Sequence, residues 1–335
     1  MKFSVKAIGQ FVKTHNNLFN QICCFENIHL AYLKARKNKR YKNNILDFSN
    51  NLEKQLLHIK KQLEDGDYRH GGYKEFIVCD SKKRQIKAPC FKDRVVHHAL
   101  CNIIDPIFNP CFIFDSYACR KRKGTHRAVK RLKNFLKNKN NVYYFQCDIA
   151  KYFDSISHNI LIRLIKKKIT CLKTMALIKE IINSSFKKDL GTGIPIGNLT
   201  SQLFANIYLN ELDQFVKREL KSVYYIRYMD DFLFLSENKN ELKELSKIIK
   251  QFLYHKLNLI INPKKIIISP CSIGINFLGY IIFKDYALLR KNTIKKFLAK
   301  IKNKNSKEKK AIWFAYAKHA NSYLLSKKLN LLRDN

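Results

Sequence analysis

The chain has 335 residues, of which 65 are Lys or Arg and 26 are Asp or Glu, so its formal net charge at pH 7 is +39. With 46% hydrophobic residues it can bury a core, which excludes a disordered tail protein. No apolar run resembles a signal peptide core or approaches the ~20 residues that cross a bilayer, so we expect neither a secreted nor a membrane-spanning protein. The charge predicts a polyanionic partner, with nucleic acid first, although an AT-rich genome would explain part of the lysine excess.

The ten cysteines form no CxxC pair and no cluster with histidine at zinc spacing. We interpret them as reduced thiols that serve as small apolar side chains. This usage is typical of a cytoplasmic protein.

The N-terminal part of the chain has the pattern of helices followed by a hairpin. Helical spacing over residues 46–64 places one apolar face on Ile45, Phe48, Leu52, Leu56 and Leu57. The cation run at residues 34–42, which includes Arg36 and Arg40, has two open interpretations: a solvated helix end, or a segment that contacts phosphates. Residues 73–89 then predict a β-hairpin with cations in its turn and second strand.

The rest of the chain alternates helices and strands. The predicted elements are a helix from Lys92 to about Ile104 that Asp105-Pro106 ends, a helix at 126–137, a buried strand at 142–147 that ends at Asp148, and a helix that Ser157 caps. After a glycine-rich turn at 191–197 come a helix at about 200–218, β-rich runs at 223–228 and 232–235, a helix at 239–256, strands at 266–268 and 277–283, and lysine-rich helices. This mixture predicts an α+β fold with a mainly antiparallel sheet.

Two acidic features stand at the ends of apolar strands. Asp148 ends one strand, and Asp230 with Asp231 occupies the apex of a predicted hairpin. Adjacent carboxylates in an apolar setting repel each other and lose hydration, and a bound cation offsets that cost. Hard oxygen ligands suit Mg²⁺, and two Mg²⁺ ions about 3.5–4 Å apart can catalyse in-line nucleotidyl transfer. A solvated loop is the alternative for the Asp-Asp pair by itself.

The order of these features resembles that in reverse transcriptases of group II introns and retrons. Tyr228-Met229-Asp230-Asp231 is similar to the YxDD box, and residues 148–156 are similar to the first catalytic block. Residues 82–86 with 93–96, residues 261–265 and residues 277–280 resemble the fingers block, the block after the YxDD hairpin and the primer grip. The resemblance, which spans roughly residues 74–283, implies an RNA-directed DNA polymerase with a right-hand fold.

The resemblance also implies a division of the chain. Residues 1–72 are expected to form a basic helical extension, residues 73–140 the fingers with a palm segment at about 91–114, residues 141–280 the palm, and residues 281–335 a helical thumb. The thumb lysines would straddle a template–primer duplex, which is held by shape and backbone contacts. We expect neither a ribonuclease H nor an endonuclease domain after the primer grip.

Site roles follow from the resemblance, position by position. The catalytic set is Asp148, Asp230 and Asp231, which together with Ile149 is expected to bind two Mg²⁺ ions. The nucleotide-binding set is Lys82, Arg84, Lys87, Phe153, Ile196, Gly197, Gln202 and Lys265. The primer and template set is Phe277, Leu278, Gly279 and Tyr280, with Arg36 and Arg40.

Some of these roles have alternatives. Phe153 is expected to be the steric gate against ribonucleotides, and a core position is compatible with that role. Arg84 and a neighbouring lysine are expected to hold the triphosphate, because bidentate arginine–phosphate pairing supplies geometry and charge; a solvated surface position is the alternative for each lysine. Lys264 or Lys265 is expected to protonate the pyrophosphate, and we favour Lys265.

One segment narrows the resemblance to diversity-generating retroelements. Most reverse transcriptases have Gln-Gly and then Ser-Pro where this chain has Ile196-Gly197 and then Ser201-Gln202, which is that subfamily's pattern. Because an aliphatic side chain cannot hydrogen-bond near the template base, we expect loose base selection opposite adenine, unless Ile196 merely packs. The resemblance implies mutagenic retrohoming, in which a template-repeat RNA is copied into adenine-mutagenised cDNA. A small basic helical accessory variability protein is the expected protein partner.

Two other functions remain open. The first is a defence-associated or other stand-alone bacterial reverse transcriptase of ordinary fidelity. The second is a non-catalytic RNA-binding protein on a polymerase scaffold, against which the three aspartates argue. In each case we expect nucleic acid and no membrane as partner, in the cytoplasm of a bacterium, with the gene carried by the bacterium or by a phage.

Overall fold

The computed structural model describes residues 13–79, 83–138, 142–184, 191–302 and 307–328. These residues divide into two compact units. The first comprises the described parts of Met1–Phe112, Lys151–Glu211 and Leu257–Leu259, and the second comprises those of Ile113–Ala150, Leu212–Lys256 and Ile260–Asn335. Within the described ranges, no helix is long and apolar enough to cross a membrane.

Helices and strands are interspersed along the chain. The helices are α1 (Phe19–Cys23), α2 (Phe25–Ala35), α3 (Asn43–Asn50), α4 (Leu52–Glu64), α5 (Phe91–Phe108), α6 (Thr125–Leu136), α7 (Tyr152–Ser155), α8 (His158–Lys166), α9 (Leu172–Asn183), α10 (Leu199–Gln214), α11 (Lys239–Leu257), α12 (Lys291–Lys302), α13 (Lys307–Ala317) and α14 (Tyr323–Lys328). The strands are β1 (Tyr73–Cys79), β2 (Lys83–Pro89), β3 (Tyr143–Asp148), β4 (Tyr225–Tyr228), β5 (Asp231–Ser236), β6 (Ile267–Pro270), β7 (Ile275–Phe277), β8 (Tyr280–Ile282) and β9 (Ala287–Leu289). They form three sheets with the orders β1-β2, β4-β5-β3-β6 and β7-β8-β9, and the strands of each sheet pair antiparallel. The predicted α+β class with an antiparallel sheet is confirmed.

Helices build the core of the first unit. α2 packs along α5, and α1 and α4 join them. The apolar face predicted over residues 46–64 is wrong in part. The chain leaves helical geometry at Asn51 (φ −120°, ψ 43°), so the apolar face of α4 does not continue that of α3. Leu57 is therefore 49% exposed, whereas Ile59 and Leu63 are buried.

α5 continues past the stop predicted at Asp105-Pro106. It ends at Phe108 and has Pro106 in its last turn. A proline there removes one backbone donor and leaves the preceding turns intact. Ile104 and Phe108, which are four residues apart, bury their side chains on one helix face and so favour the longer helix.

Two other helix ends differ from the prediction in detail. Ser157 stands at the start of α8, but its side chain makes no capping hydrogen bond. The N–H of His158 instead donates to the carbonyl of Gly191 at 2.9 Å. A loop carbonyl thus satisfies one of the N–H groups that have no acceptor within the first turn of the helix. α10 ends at Gln214 and continues as the π-helical turn Phe215–Glu219.

The four-stranded sheet organises the second unit. β5 lies between β4 and β3, and β6 pairs with the other edge of β3. Side chains alternate across β5, so Phe232 and Phe234 point to one face and Leu233 to the other. The Leu233 face joins a buried apolar cluster that also contains Phe277 of β7 and Trp313 of α13. This packing fixes the end of the sheet at which the acidic residues stand.

Candidate active site

The carboxylates singled out in the sequence lie at one end of the four-stranded sheet. Asp148 is the last residue of β3, Asp231 is the first residue of β5, and the two are paired directly across the antiparallel ladder. Tyr228 pairs with Asp231, so Met229 and Asp230 form a two-residue turn. Met229 has φ +57°, in the left-handed region that residues other than glycine adopt uncommonly. The hairpin thus carries Asp230 next to the Asp148–Asp231 pair.

The segment after α11 holds the end of β3 from the other side. The Asn262 N–H donates to the Asp148 carbonyl at 2.8 Å. Ile149 and Ile261 form an isolated antiparallel bridge. Because the Ile149 side chain is apolar and 1% exposed, its backbone carbonyl is the only group with which it can serve a metal ion.

Lys265 brings a positive charge to this end of the sheet. It belongs to the 3₁₀ turn Pro263–Lys265, and the Asn262 side chain stabilises that turn by accepting from the Lys264 N–H at 3.1 Å. The Lys265 ammonium forms an ion pair with the Asp148 carboxylate. Of the two lysines considered as proton donors, Lys265 is thus tied directly to a site carboxylate.

Gln146 is a site residue that sequence reasoning missed. Its side-chain amide donates to Asp231 Oδ1 at 3.0 Å and to the Asn276 carbonyl at 3.2 Å. Gln146 precedes Asp148 by two residues on β3, so both side chains point to the same face of the strand. The sequence signal that could have identified it is a polar residue within an apolar run, two positions before the aspartate that ends the strand.

Charge crowding is greatest at Asp231. The pKa of the Asp231 carboxyl is raised to about 7, mainly by burial and also by the neighbouring Asp148 and Asp230 carboxylates. The hydrogen bond from Gln146 and the charge of Lys265 oppose this rise in pKa without cancelling it. The site therefore holds more negative charge than its protein surroundings neutralise, which is the condition under which cation binding is favourable.

The donor chemistry of these residues fits a divalent cation. Among the residues that the structure describes, no group of three or more His, Cys, Asp or Glu side chains is arranged to hold a metal ion. Asp148, Asp230 and Asp231 offer only carboxylate oxygens, which hard cations such as Mg²⁺ prefer. The raised Asp231 pKa is the observation that supports the fit, because a cation would stabilise the ionised form.

The residues expected to bind the nucleotide lie in the first unit where the structure describes them, with the exception of Lys265. Lys82 lies outside the described residues, and Arg84 is an exposed residue of β2. The Lys87 ammonium lies 3.2 Å from the Glu75 carboxylate. Gln202 is a partly buried residue in the first turn of α10.

The β2 strand and the 191–197 turn are joined by their backbones. The Lys87 N–H donates to the Ile196 carbonyl at 3.0 Å. Gly197 has φ +127°, and a Cβ atom there would come within 2.8 Å of the Lys87 carbonyl oxygen. Only glycine permits this approach. The structure thus brings Lys87, Ile196 and Gly197 together.

Phe153 belongs to the short helix α7. Its carbonyl accepts a hydrogen bond from the Ile194 N–H at 2.9 Å, which fixes the backbone next to the 191–197 turn. The side chain is partly exposed and meets the Tyr152 ring edge to face at 5.6 Å. The exposed part of the ring leaves the steric-gate role available, and that role stays a prediction.

The predicted primer grip is the β7–β8 hairpin. Phe277 pairs with Tyr280, and the turn residues Leu278 and Gly279 both have positive φ, at 51° and 89°. The side chains of Phe277 and Tyr280 are fully buried, so they support the hairpin. Contact of its tip with a nucleic acid stays a prediction. Tyr316 holds that tip through a hydrogen bond from its hydroxyl to the Leu278 carbonyl at 2.7 Å.

The two arginines proposed for template contact differ in their surroundings. The Arg36 guanidinium lies over the Tyr32 ring at 4.7 Å and donates to the Tyr32 hydroxyl at 2.9 Å. Arg40 is exposed. Arg36 therefore has a structural role within the helical part of the first unit, whereas Arg40 presents its charge to solvent.

Comparison with known proteins gives a family for the chain. A family model described as reverse transcriptase (RNA-dependent DNA polymerase) matches residues 38–282. The group II intron-encoded protein LtrA of Lactococcus lactis subsp. cremoris is 26% identical in an alignment of 314 residues. The match covers 73% of this chain and 51% of LtrA. Protein YkfC of Escherichia coli (strain K12) is 24% identical in an alignment of 269 residues. That match covers 68% of this chain and 70% of YkfC. The chain thus spans about half the length of LtrA.

Solved structures agree on the fold. Apo telomerase from Candida tropicalis matches with a TM-score of 0.51 at 14% identity, over 66% of this chain and 49% of that chain. At this identity the similarity speaks for the fold alone. It supports the right-hand polymerase fold expected from the sequence.

Proposed function

Because the chain belongs to the reverse transcriptase family, we propose that it is an RNA-directed DNA polymerase that extends a primer with dNTPs along a template RNA. The observation that carries this proposal is the pairing of Asp148 with Asp231 beside the Met229-Asp230 turn. A non-catalytic RNA-binding scaffold has no need for carboxylates crowded enough to raise the Asp231 pKa to about 7.

The site residues take the following roles in this proposal. Asp148 and Asp230 hold two Mg²⁺ ions, and the Asp231 carboxylate and the Ile149 carbonyl complete the oxygen ligands. Ions held by these residues would supply activation of the primer 3′-hydroxyl and stabilisation of the leaving oxygen. Lys265 donates a proton to the pyrophosphate in this proposal, which its ion pair with Asp148 supports.

Residues of the first unit select the nucleotide. Arg84 and Lys87 of β2 bind the triphosphate, and the Phe153 ring excludes a ribose 2′-hydroxyl. Arg40 and the α12 lysines bind the backbone of the template–primer duplex. In this proposal residues 1–72 are the extension, 73–140 the fingers with the palm segment at about 91–114, 141–280 the palm and 281–335 the thumb.

Primer extension on a defined RNA template tests the polymerase proposal. We expect Asp230→Asn to reduce cDNA synthesis by about 10²–10³-fold, because stabilisation by metal ions is worth several kcal/mol. Asp285→Asn, which changes an exposed aspartate of the same unit, is the matched control and should leave synthesis unchanged. Undiminished synthesis by Asp230→Asn would refute the assignment of the site.

We further propose that the enzyme belongs to a diversity-generating retroelement and misincorporates opposite template adenines. The Ile196-Gly197 and Ser201-Gln202 pattern supports this subtype. So does the position of Ile196, whose carbonyl is held by Lys87 while its side chain remains partly exposed. A partly exposed side chain can meet a template base or an incoming nucleotide, which a buried core residue cannot. The accessory variability protein and a bacterial or phage-encoded, cytoplasmic setting belong to the same proposal.

Sequencing of the cDNA tests the subtype. We expect Ile196→Gln to lower misincorporation opposite adenine, because a glutamine can hydrogen-bond where an aliphatic side chain cannot. Ile196→Leu is the control, since it keeps an aliphatic side chain of the same size. Equal adenine error rates in wild type and Ile196→Gln would show that Ile196 merely packs. A wild-type error rate no higher opposite adenine than opposite the other bases would leave the alternative, a stand-alone reverse transcriptase of ordinary fidelity.

A further inference from the structure

Arg227 is the largest fully buried side chain of the described residues. It lies on β4, two residues before Met229 in the turn that carries Asp230. Most of the 65 basic residues of such a chain can remain solvated, so the burial of this one calls for a specific compensation.

Asp213, which is itself 0% exposed, supplies that compensation. The Arg227 Nε and Nη2 atoms donate to the two Asp213 carboxylate oxygens at 2.8 and 2.6 Å, a bidentate pair that fixes the guanidinium plane. The Tyr225 hydroxyl donates to the same carboxylate at 2.8 Å, and Arg227 Nη2 also donates to the Ser116 hydroxyl at 3.2 Å.

The remaining terminal nitrogen of the fork reaches the acidic turn. Arg227 Nη1 donates to the Met229 carbonyl at 2.9 Å. That carbonyl belongs to the peptide group that leads into Asp230, and Met229 has φ +57°. The backbone of Arg227 is also fixed, since its N–H donates to the Asp115 carbonyl at 2.9 Å and its carbonyl accepts from the Tyr117 N–H at 3.0 Å.

We propose that Arg227, oriented by Asp213, is a positioning residue for the metal-binding turn. It holds the Met229–Asp230 peptide in its uncommon conformation, so that the Asp230 carboxylate stands beside the Asp148–Asp231 pair before an ion or nucleotide binds. This inference rests on the proposed function and adds to it a buried device that touches neither substrate nor metal. A lysine cannot replace Arg227 here, because one ammonium cannot pair with both Asp213 oxygens and reach the turn carbonyl.

The experiment compares Arg227→Lys with Arg131→Lys in the full chain. Arg131 forms another bidentate arginine–aspartate pair in this unit, with Asp115 at 2.8 and 3.3 Å. The positioning role concerns the turn alone, so both variants are expected to lower the thermal midpoint, but only Arg227→Lys should weaken Mg²⁺ binding. The measured quantity is the Mg²⁺ concentration at which half of the Mg²⁺-dependent increase in melting temperature is reached. We expect Arg227→Lys to raise this concentration about tenfold, which is the effect expected for the loss of a charge-assisted hydrogen bond.

Primer extension supplies the second measurement. The Mg²⁺ concentration for half-maximal synthesis should rise by a similar factor in Arg227→Lys, and kcat at saturating Mg²⁺ should fall more than the KM for dNTP changes. Should Arg227→Lys fail to fold, Tyr225→Phe, which removes only one hydrogen bond to Asp213, is expected to shift the same Mg²⁺ dependence by a smaller factor.

The outcomes separate this inference from the proposed function. An unchanged Mg²⁺ dependence in the folded variant, with only a lower melting temperature, would show that the pair is purely structural and would overturn the inference. A wild type that is stabilised by Mg²⁺ but makes no cDNA would contradict the polymerase proposal, while the thermal comparison would still test the positioning role.

Discussion

Asp231 shows at the scale of one residue how the candidate site depends on a cation. Its pKa of about 7 in the folded protein lies above the ordinary value of 3.8, mainly because its partly buried position disfavours the charged form. The folded protein therefore binds this proton more tightly than the unfolded chain does. The resulting stability is complete below about pH 4 and is lost as the pH rises to about 7.

Asp231→Asn should remove this pH dependence. Without Mg²⁺, we expect the variant to gain free energy of unfolding relative to wild type as the pH rises from 4 to 8, by up to roughly 1.4 kcal/mol for each pH unit between the two pKa values. Added Mg²⁺ should reduce the gain, because it stabilises the ionised carboxylate of the wild type. Denaturant titrations at several pH values measure it.

Asp285→Asn is the control for this titration. Asp285 is exposed and lies in the same unit, so its replacement makes the same change in charge without removing a buried carboxyl. If Asp231→Asn and Asp285→Asn showed the same pH trend, burial of Asp231 would not be the cause.

The turn of the β7–β8 hairpin depends on a glycine. Gly279 has φ +89°, and a Cβ atom there would overlap the Tyr316 hydroxyl. Gly66 has a similar φ of +78° with nothing within 4 Å of the corresponding position. Comparison of substitutions at Gly279 and Gly66 therefore separates the conformational cost of replacing glycine from the cost of the overlap.

Gly279→Ala should destabilise the protein more than Gly66→Ala does. We expect about 1 kcal/mol for Gly66→Ala from the positive φ alone, and roughly 2–4 kcal/mol for Gly279→Ala, because Tyr316 must also move. Thermal denaturation measures both. Tyr316→Phe, which deletes the overlapping hydroxyl, should recover part of the loss at Gly279, and equal effects of the two glycine substitutions would show that the overlap relaxes freely.

Elements with strong local signals could be predicted from the sequence, and elements that depend on distant partners could not. The strand ending at Asp148 and the turn at Met229-Asp230 follow from apolar runs that stop at acidic residues. Pro106 predicted a helix stop that packing of Phe108 overrides. Arg227 gave no signal of burial, because its partner Asp213 lies on α10 and only the tertiary fold brings the two together.

The net charge of +39 is a property of the whole molecule. The candidate active site accounts for a few of the acidic residues and not for the excess of basic ones. The described cations that we propose to contact nucleic acid or nucleotide are Arg84 and Lys87 on β2, Arg40, and lysines of α12. Lys291 and Lys295 are exposed on α12. A nucleic acid bound by such residues displaces counterions, so its affinity falls steeply with salt concentration.

A salt titration of template–primer binding distinguishes functional charge from genome bias. We expect log Kobs to fall linearly with log salt concentration, by a slope of about −0.9 for each phosphate neutralised. The double variant Lys291→Ala/Lys295→Ala should make the slope less steep by about 2 if both lysines contact phosphates. Lys243→Ala/Lys250→Ala, which removes two exposed lysines of α11 in the same unit, is the matched control and should leave the slope unchanged. Equal slopes for all three proteins would mean that the α12 lysines do not contact the duplex, and a flat wild-type response would assign most of the charge to codon usage.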